Sequence, residues 1–220
     1  MNHTRISVLL GAAAMLAATA ADAQERMQGS GIRVQKSEFE VSSTPSTTTV
    51  EVASGDVNLT TPFDITAYAN MTEKNITAHM AAGDSLEIQF AELALSKGTN
   101  QQVRDFANML LTDHRAHLAK THEIITDEDV GAEPLSFDPE GMRMRQMLNT
   151  LRNMSAGTNW DAAFLRFQAQ HHQNEIDLLS ANIKNAHDDD LEDHIEKSLT
   201  SLAKHRDQAR SVATSLGYQL

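Results

Sequence analysis

The sequence predicts an all-α protein, a four-helix bundle with one extra short helix. Three observations carry this. Apolar residues recur every three or four positions through four long stretches between Thr72 and Gly217. Turn and capping residues close each stretch, whereas the one alternating run, Thr49-Val50-Glu51-Val52, has no second run to pair with. Aromatic residues make up only 5% of the chain and cysteine is absent, so a core must rest on Leu, Ile, Met and Ala, a mix that favours helices over sheets.

Residues 1–23, MNHTRISVLLGAAAMLAATAADA, have the form of a signal peptide. Arg5 charges its start, and Ala21-Asp22-Ala23 is a small-x-small cleavage site with the cut after Ala23. Val8 to Ala18 is apolar but shorter than the ~20 residues a membrane span needs. The mature chain is therefore expected to be periplasmic or otherwise exported, with no transmembrane segment and no cysteine for a lipid anchor. Residues 24–68 carry the Ser/Thr-rich run Ser42 to Thr49 and little periodic apolar content, so they read as a disordered tether ahead of a bundle domain at 69–220.

The first helix starts after Thr72, an N-cap residue, with the stripe Ile76, Met80, Gly83, Glu87, Ala91 and Ala94. Gly83-Asp84-Ser85 reads as a break, since Asp84 with Glu87 resembles a capping box. At Lys97-Gly98-Thr99 the chain stops and restarts: glycine suits C′, and Thr99 with Gln102 forms a second capping box. The next stripe is Val103, Phe106, Ala107, Leu110, His114, Leu118, Thr121 and Ile125, and the short connection makes these two helices antiparallel neighbours. After an acidic loop, Asp138-Pro139 starts a shorter helix carrying Met144, Met147, Leu148, Leu151 and Met154. Asn159 is placed to cap the following long helix, with Asp161, Leu165, Gln168, His172, Glu175 or Ile176, and Leu179 inward. Asp188 to Asp190 precedes the last helix, whose stripe is Leu191, His194 or Ile195, Leu199, Leu202, His205, Ala209, Val212 and Leu216.

Composition excludes several functions. A net charge of −12 without a Lys/Arg cluster argues against nucleic acid and anionic membrane surfaces as partners. The lack of cysteine removes thiolate chemistry. No phosphate-binding glycine loop, nucleophile elbow or H-E-x-x-H motif occurs, and no nucleophile stands beside a base, so no enzyme is expected.

What remains is a set of polar residues on apolar stripes. At about 1.5 Å rise per residue, Glu87 and His114 lie roughly 17 and 24 Å from the Gly98 turn, and His172 and His205 roughly 24 and 25 Å from the Asp188 turn. All four fall near mid-helix, so one layer of the core receives them. Imidazole and carboxylate ligate iron, zinc or copper, and bundles build such sites from facing helices. Glu175, one turn past His172, is a further ligand candidate or an acceptor behind one. Against this stands a metal-free reading in which Glu87 and His114 pair across the core, or Glu87 caps a helix. His171, about 100° from His172, is assigned to the surface, and His117 to the stripe edge. Met142, Met144 and Met147 read as core filler rather than a copper cluster, and His187 and His194 as a faint exposed metal signal beside the acidic turn.

The segment from Ile65 to Gly217 resembles an exported bacterial domain-of-unknown-function family, 4142. The matching residues are Glu87 with Leu93-Ala94-Leu95, Val103 with Phe106-Ala107 and Asp113-His114, Trp160-Asp161 with Phe164 and His172, and Leu202 with His205. Trp160 stands where that family usually has phenylalanine. The resemblance implies a ferritin-like bundle. Di-iron members of that wider fold carry Glu-x-x-His pairs, but here Leu111, Ala169 and Leu202 stand three residues before His114, His172 and His205, against an oxygen-activating centre. The leading expectation is an exported bundle that binds a transition metal or small ligand, in envelope stress or metal handling. The alternatives are an envelope interaction module that reaches a protein partner through its tether, and a ferritin-type redox enzyme.

Overall fold

A computed structural model describes residues 63–127 and 130–220; the stretch expected as a signal peptide, most of the expected tether and the Thr49–Val52 run lie outside the described residues. Five α-helices follow a short 3-10 turn at Ile65–Tyr68: α1 (Glu73–Lys97), α2 (Gln101–Asp127), α3 (Pro139–Asn153), α4 (Thr158–Asn182) and α5 (Asp189–Ser215). No strand occurs among the described residues. Helix α1 packs along α2 and α4 along α5; α2 meets α5, and the short α3 lies against α1 and α4.

Ordered packing begins before residue 69, inside the stretch expected as tether. Asp64 caps the 3-10 turn, and Tyr68 is buried, its hydroxyl donating to Asp138 (2.8 Å) and accepting from the Glu140 N–H (2.8 Å). Thr72 caps α1 through a reciprocal capping box with Asn75, as its sequence position predicts. Helix α1 then runs unbroken through Gly83-Asp84-Ser85, because burial of its stripe outweighs the local capping signal.

Three helix boundaries differ from expectation. Gly98 is the C-cap of α1 at φ −58° rather than a left-handed C′ residue; glycine is needed there because a Cβ would sit 2.6 Å from the Ala94 carbonyl oxygen. Asn100, not Thr99, caps α2, accepting from the Gln102 N–H (2.8 Å). Thr99 turns its hydroxyl to Asp161 at the start of α4 (2.6 Å), and the same carboxylate accepts the Thr99 and Asn100 N–H groups (both 3.0 Å). A side chain of α4 thus satisfies the backbone donors of the turn that leads into α2. Gly157, not Asn159, is the N-cap of α4. Helix α5 ends in a Schellman arrangement: Gly217 is left-handed (φ 73°), with Tyr218 N–H donating to the Ala213 carbonyl (2.9 Å) and Gly217 N–H to that of Thr214 (3.1 Å). Lys97 donates to the carbonyls of Leu151, Arg152 and Met154, tying α1 to the C-terminus of α3.

The apolar core is in two parts. One holds Phe90, Phe106, Leu110, Leu151, Trp160, Phe164, Phe167 and Val212; the other holds Tyr68, Ile76, Ile124, Leu178, Leu191 and Ile195. Between them, on all four long helices, lies a slab of buried polar residues: Asp84 and Glu87 on α1, His114 on α2, His171, His172 and Glu175 on α4, and His205 on α5.

Candidate metal centre

Three imidazoles meet inside this slab. His114, His172 and His205 are 2%, 0% and 0% exposed, and their ring centroids are 5.1–5.7 Å apart. One ligand atom from each lies within 4.8 Å of those from the other two. Their helical phase brings them here: His114 is one turn from Leu110, His172 two turns from Leu165, and His205 one turn from both Leu202 and Ala209, all buried apolar residues on the same stripes.

Each ring is held from behind through one nitrogen. His114 Nδ1 is 2.8 Å from Asp84 Oδ1, His205 Nε2 is 2.9 Å from Asp113 Oδ2, and His172 Nδ1 is 2.8 Å from its own helix's Gln168 carbonyl. The other nitrogens, His114 Nε2, His172 Nε2 and His205 Nδ1, are buried without a hydrogen-bond partner. A proton on the partnered nitrogen leaves the lone pair on the free one, the arrangement that outer hydrogen bonds impose on metal-ligating histidines. Burial lowers the pKa of all three. For His172 the neighbouring His205 and His171 push it further down; His205 falls to about 4; Glu87 only partly offsets the effect on His114. The rings are thus neutral near pH 7, the form that can ligate a metal.

Glu87, the fourth residue expected in this layer, is buried at the right height but outside the three-nitrogen set. Its Oε2 is 4.0 Å from His114 Nε2 and its Oε1 3.5 Å from His171 Nε2, and neither oxygen makes a hydrogen bond. Burial raises its pKa against the opposing pull of His171 and His114. The expected Glu87–His114 pair is therefore replaced by Asp84–His114, and Asp84 is a core residue rather than a cap. Burial raises Asp84 to about 7.

Glu175 lies outside the three-nitrogen set and holds His79 Nε2 (3.0 and 3.2 Å). Burial opposes a charge on His79, but Glu175 and Asp138 outweigh it and raise the pKa to about 9. His171, assigned to the surface, is 2% exposed and binds Glu140 at 2.7 Å. Glu140 also receives Arg143 (2.8 and 3.0 Å) and Asn174 (3.2 Å); His171 and Arg143 overcome its burial and lower it to about 2. The surface assignment failed because α4 is covered on a second face by α3, and the second apolar row Phe164, Phe167, Leu178 was the signal for it.

His194 is likewise buried, 2.9 Å from Thr121 Oγ1, while His187 is exposed with its backbone N–H on Glu73. Met144 and Met147 fill the core and Met142 is 56% exposed, so the three do not face one point. His117 is half-buried, its ring centroid 6.0 Å from that of His114 and 5.9 Å from that of His194.

Residues 59–212 match the sequence profile of a family described as Domain of unknown function (DUF4142). Among solved structures, a DUF305 fragment from Deinococcus radiodurans superposes with a TM-score of 0.57 at 16% identity, covering 67% of this chain and 98% of the other. CopM in the Cu(I)-bound form superposes with a TM-score of 0.52 at 19% identity, covering 67% of this chain and 99% of the other. At these identities the likeness is one of fold. No curated protein matches the chain. No helix among the described residues is long and apolar enough to cross a membrane.

Proposed function

The chain belongs to the DUF4142 family, a domain of unknown function, and we propose that this member holds a transition-metal ion, copper or zinc, on His114, His172 and His205. The observation that carries the reading is the set of three buried imidazole nitrogens with no partner, one on each of three helices. An unpaired buried acceptor costs about 1–3 kcal/mol, and a metal ion would satisfy all three at once. Three neutral nitrogens suit copper and zinc; a purely imidazole set, without Glu-x-x-His pairs, does not suit a di-iron centre. CopM, of similar fold, has been solved with Cu(I) bound, in keeping with metal handling. The role is storage or transfer rather than catalysis, in an exported compartment where such handling would protect the envelope.

Tag-free protein titrated with Cu(I) under anaerobic conditions, and separately with Zn(II), should bind one equivalent. X-ray absorption should report about three nitrogen neighbours at ~2.0 Å. His172→Ala and His205→Ala should each lower affinity by roughly 100-fold or more, and Glu175→Gln by less than about threefold. Weak substoichiometric binding, unchanged in a His114→Ala, His172→Ala double variant, would overturn the reading.

The second reading, a structural core without metal, is favoured by four histidine–carboxylate pairs: His79–Glu175, His114–Asp84, His171–Glu140 and His205–Asp113. It predicts that neither metal raises the unfolding temperature and that His172→Leu stabilises the fold.

A further inference from the structure

The three rings are sealed from solvent, so an ion needs a way in. Beside them lies an internal cavity of about 30 Å³, lined by Gly83, Asp84 and Glu87 of α1, His114 and His117 of α2, and Ser198 of α5, among others. That volume admits a water molecule or a small ion. Met80, Leu179 and Leu202 make much of its wall apolar, but the polar part is under-satisfied: both Glu87 oxygens, His114 Nε2 and Ser198 Oγ are buried without a hydrogen-bond partner.

Two features mark one side of this cavity as its mouth. Gly83 sits in the interior of α1, where glycine costs up to about 1 kcal/mol relative to alanine, yet a Cβ there would meet nothing within 4 Å. No close packing therefore demands glycine, and its missing side chain leaves a gap in the wall. Across from it, His117 is only half-buried, while the other cavity histidines, His114 and His171, are 2% exposed. Asp84, His114 and His117 also form a donor set of their own, with one ligand atom from each within 4.8 Å of the others. This outer set shares His114 with the inner set of His114, His172 and His205.

We propose that the gap between Gly83 and His117 is the inlet for the ion, and that Asp84 with His117 is its landing site on the way to the three-histidine centre. The inference rests on the metal reading above. A hydrated ion exchanges water for the Asp84 carboxylate and the His117 imidazole in the cavity. It then gains His114 and passes to His172 and His205, so a protein ligand holds it at every stage. No bond other than metal–ligand bonds forms or breaks, and no electron is transferred. A landing site speeds both loading and release without contributing to the resting affinity, which separates it from the inner ligands.

The test uses tag-free full-length mature protein freed of metal, with Zn(II) delivered from a weak chromophoric chelator in a stopped-flow instrument and Cu(I) run in parallel under anaerobic conditions. His117→Gln and Gly83→Leu should load and release roughly tenfold more slowly, with equilibrium affinity within about threefold of wild type. Gly83→Ala, which leaves the gap partly open, should load nearly as fast as wild type and serves as the folded control for this position; circular dichroism checks each variant. Wild-type rates in both His117→Gln and Gly83→Leu overturn the inlet. A fall in affinity that matches the fall in rate for His117→Gln also overturns it, because His117 would then be a resting ligand. If wild type takes up neither ion, the metal reading itself fails and the inlet with it. If wild type binds one equivalent and the variants load normally, only the inlet fails.

Discussion

Glu87 brings a carboxyl group into the core with no hydrogen bond to either oxygen, its nearest ring nitrogens being those of His171 at 3.5 Å and His114 at 4.0 Å. Such a group stabilises the fold only if something else occupies its surroundings; in the metal-free protein it is a cost. Glu87→Leu should therefore raise the unfolding free energy of metal-free protein by about 1–2 kcal/mol, since apolar replacement of a buried polar group without a hydrogen bond is commonly stabilising. Chemical denaturation checks this, and a destabilised variant would show that Glu87 has a partner in solution. The residue scale also shows what periodicity reads well. Helical phase put His114, His172 and His205 on inward faces at one height, even though the α4 stripe is itself interrupted by Asp161 and Gln168. It misread Asp84, whose local sequence mimics a helix start, and His171, whose cover comes from α3. Pairings such as Asp84–His114 and His79–Glu175 depend on side-chain reach across helices, which one chain read linearly does not encode.

Among elements, the α1–α2 turn is held from outside itself. Asp161 of α4 accepts both backbone N–H groups and the Thr99 hydroxyl at the start of α2. Asp161→Ala should cost about 2–3 kcal/mol, more than a surface cap, because three donors lose one fully buried charged acceptor. Gly98→Ala should cost about 1–3 kcal/mol through the clash with the Ala94 carbonyl. Thermal melts of both variants test this, and values within about 0.5 kcal/mol of wild type would mean that the turn relaxes freely. The existence and order of the helices were legible from stripes and stop signals. The residues at the caps were not: Asn100 displaced Thr99 once Asp161 had claimed the Thr99 hydroxyl, and Gly157, with no side chain to cap with, stands at the α4 N-cap in place of Asn159.

For the whole molecule, the polar slab sets the response to pH. In the folded state His205 and His194 are lowered to about 4, and His114 and His172 are lowered as well, so each binds protons more readily in the unfolded chain, near 6.5. Their contribution is complete above about 6.5 and is lost as pH falls toward 4. Asp84 and Glu87, both raised, partly offset this limb. His79 acts on the other side: raised to about 9, its contribution is full below about 6.5 and lost as pH rises through 9. Metal-free protein should therefore melt highest near pH 6.5–7, and His79→Gln should make the alkaline limb shallower while leaving the part that His171, also raised despite its burial by its carboxylate neighbours, contributes. A melting temperature that climbs steadily to pH 9 would contradict the His79 assignment.

Trp160, the chain's single tryptophan, is fully buried and donates its indole N–H to the Leu151 carbonyl (2.9 Å) at the end of α3. Twelve residues separate it from His172 along α4, about 18 Å. This makes the protein carry its own fluorophore at a fixed remove from the histidines. Emission from that indole reports the far apolar cluster, whereas ring-proton resonances report the centre. If heating shifts both signals at one midpoint, the two halves of the bundle melt as a single cooperative body; if the signals separate, the slab is the seam along which the bundle first comes apart.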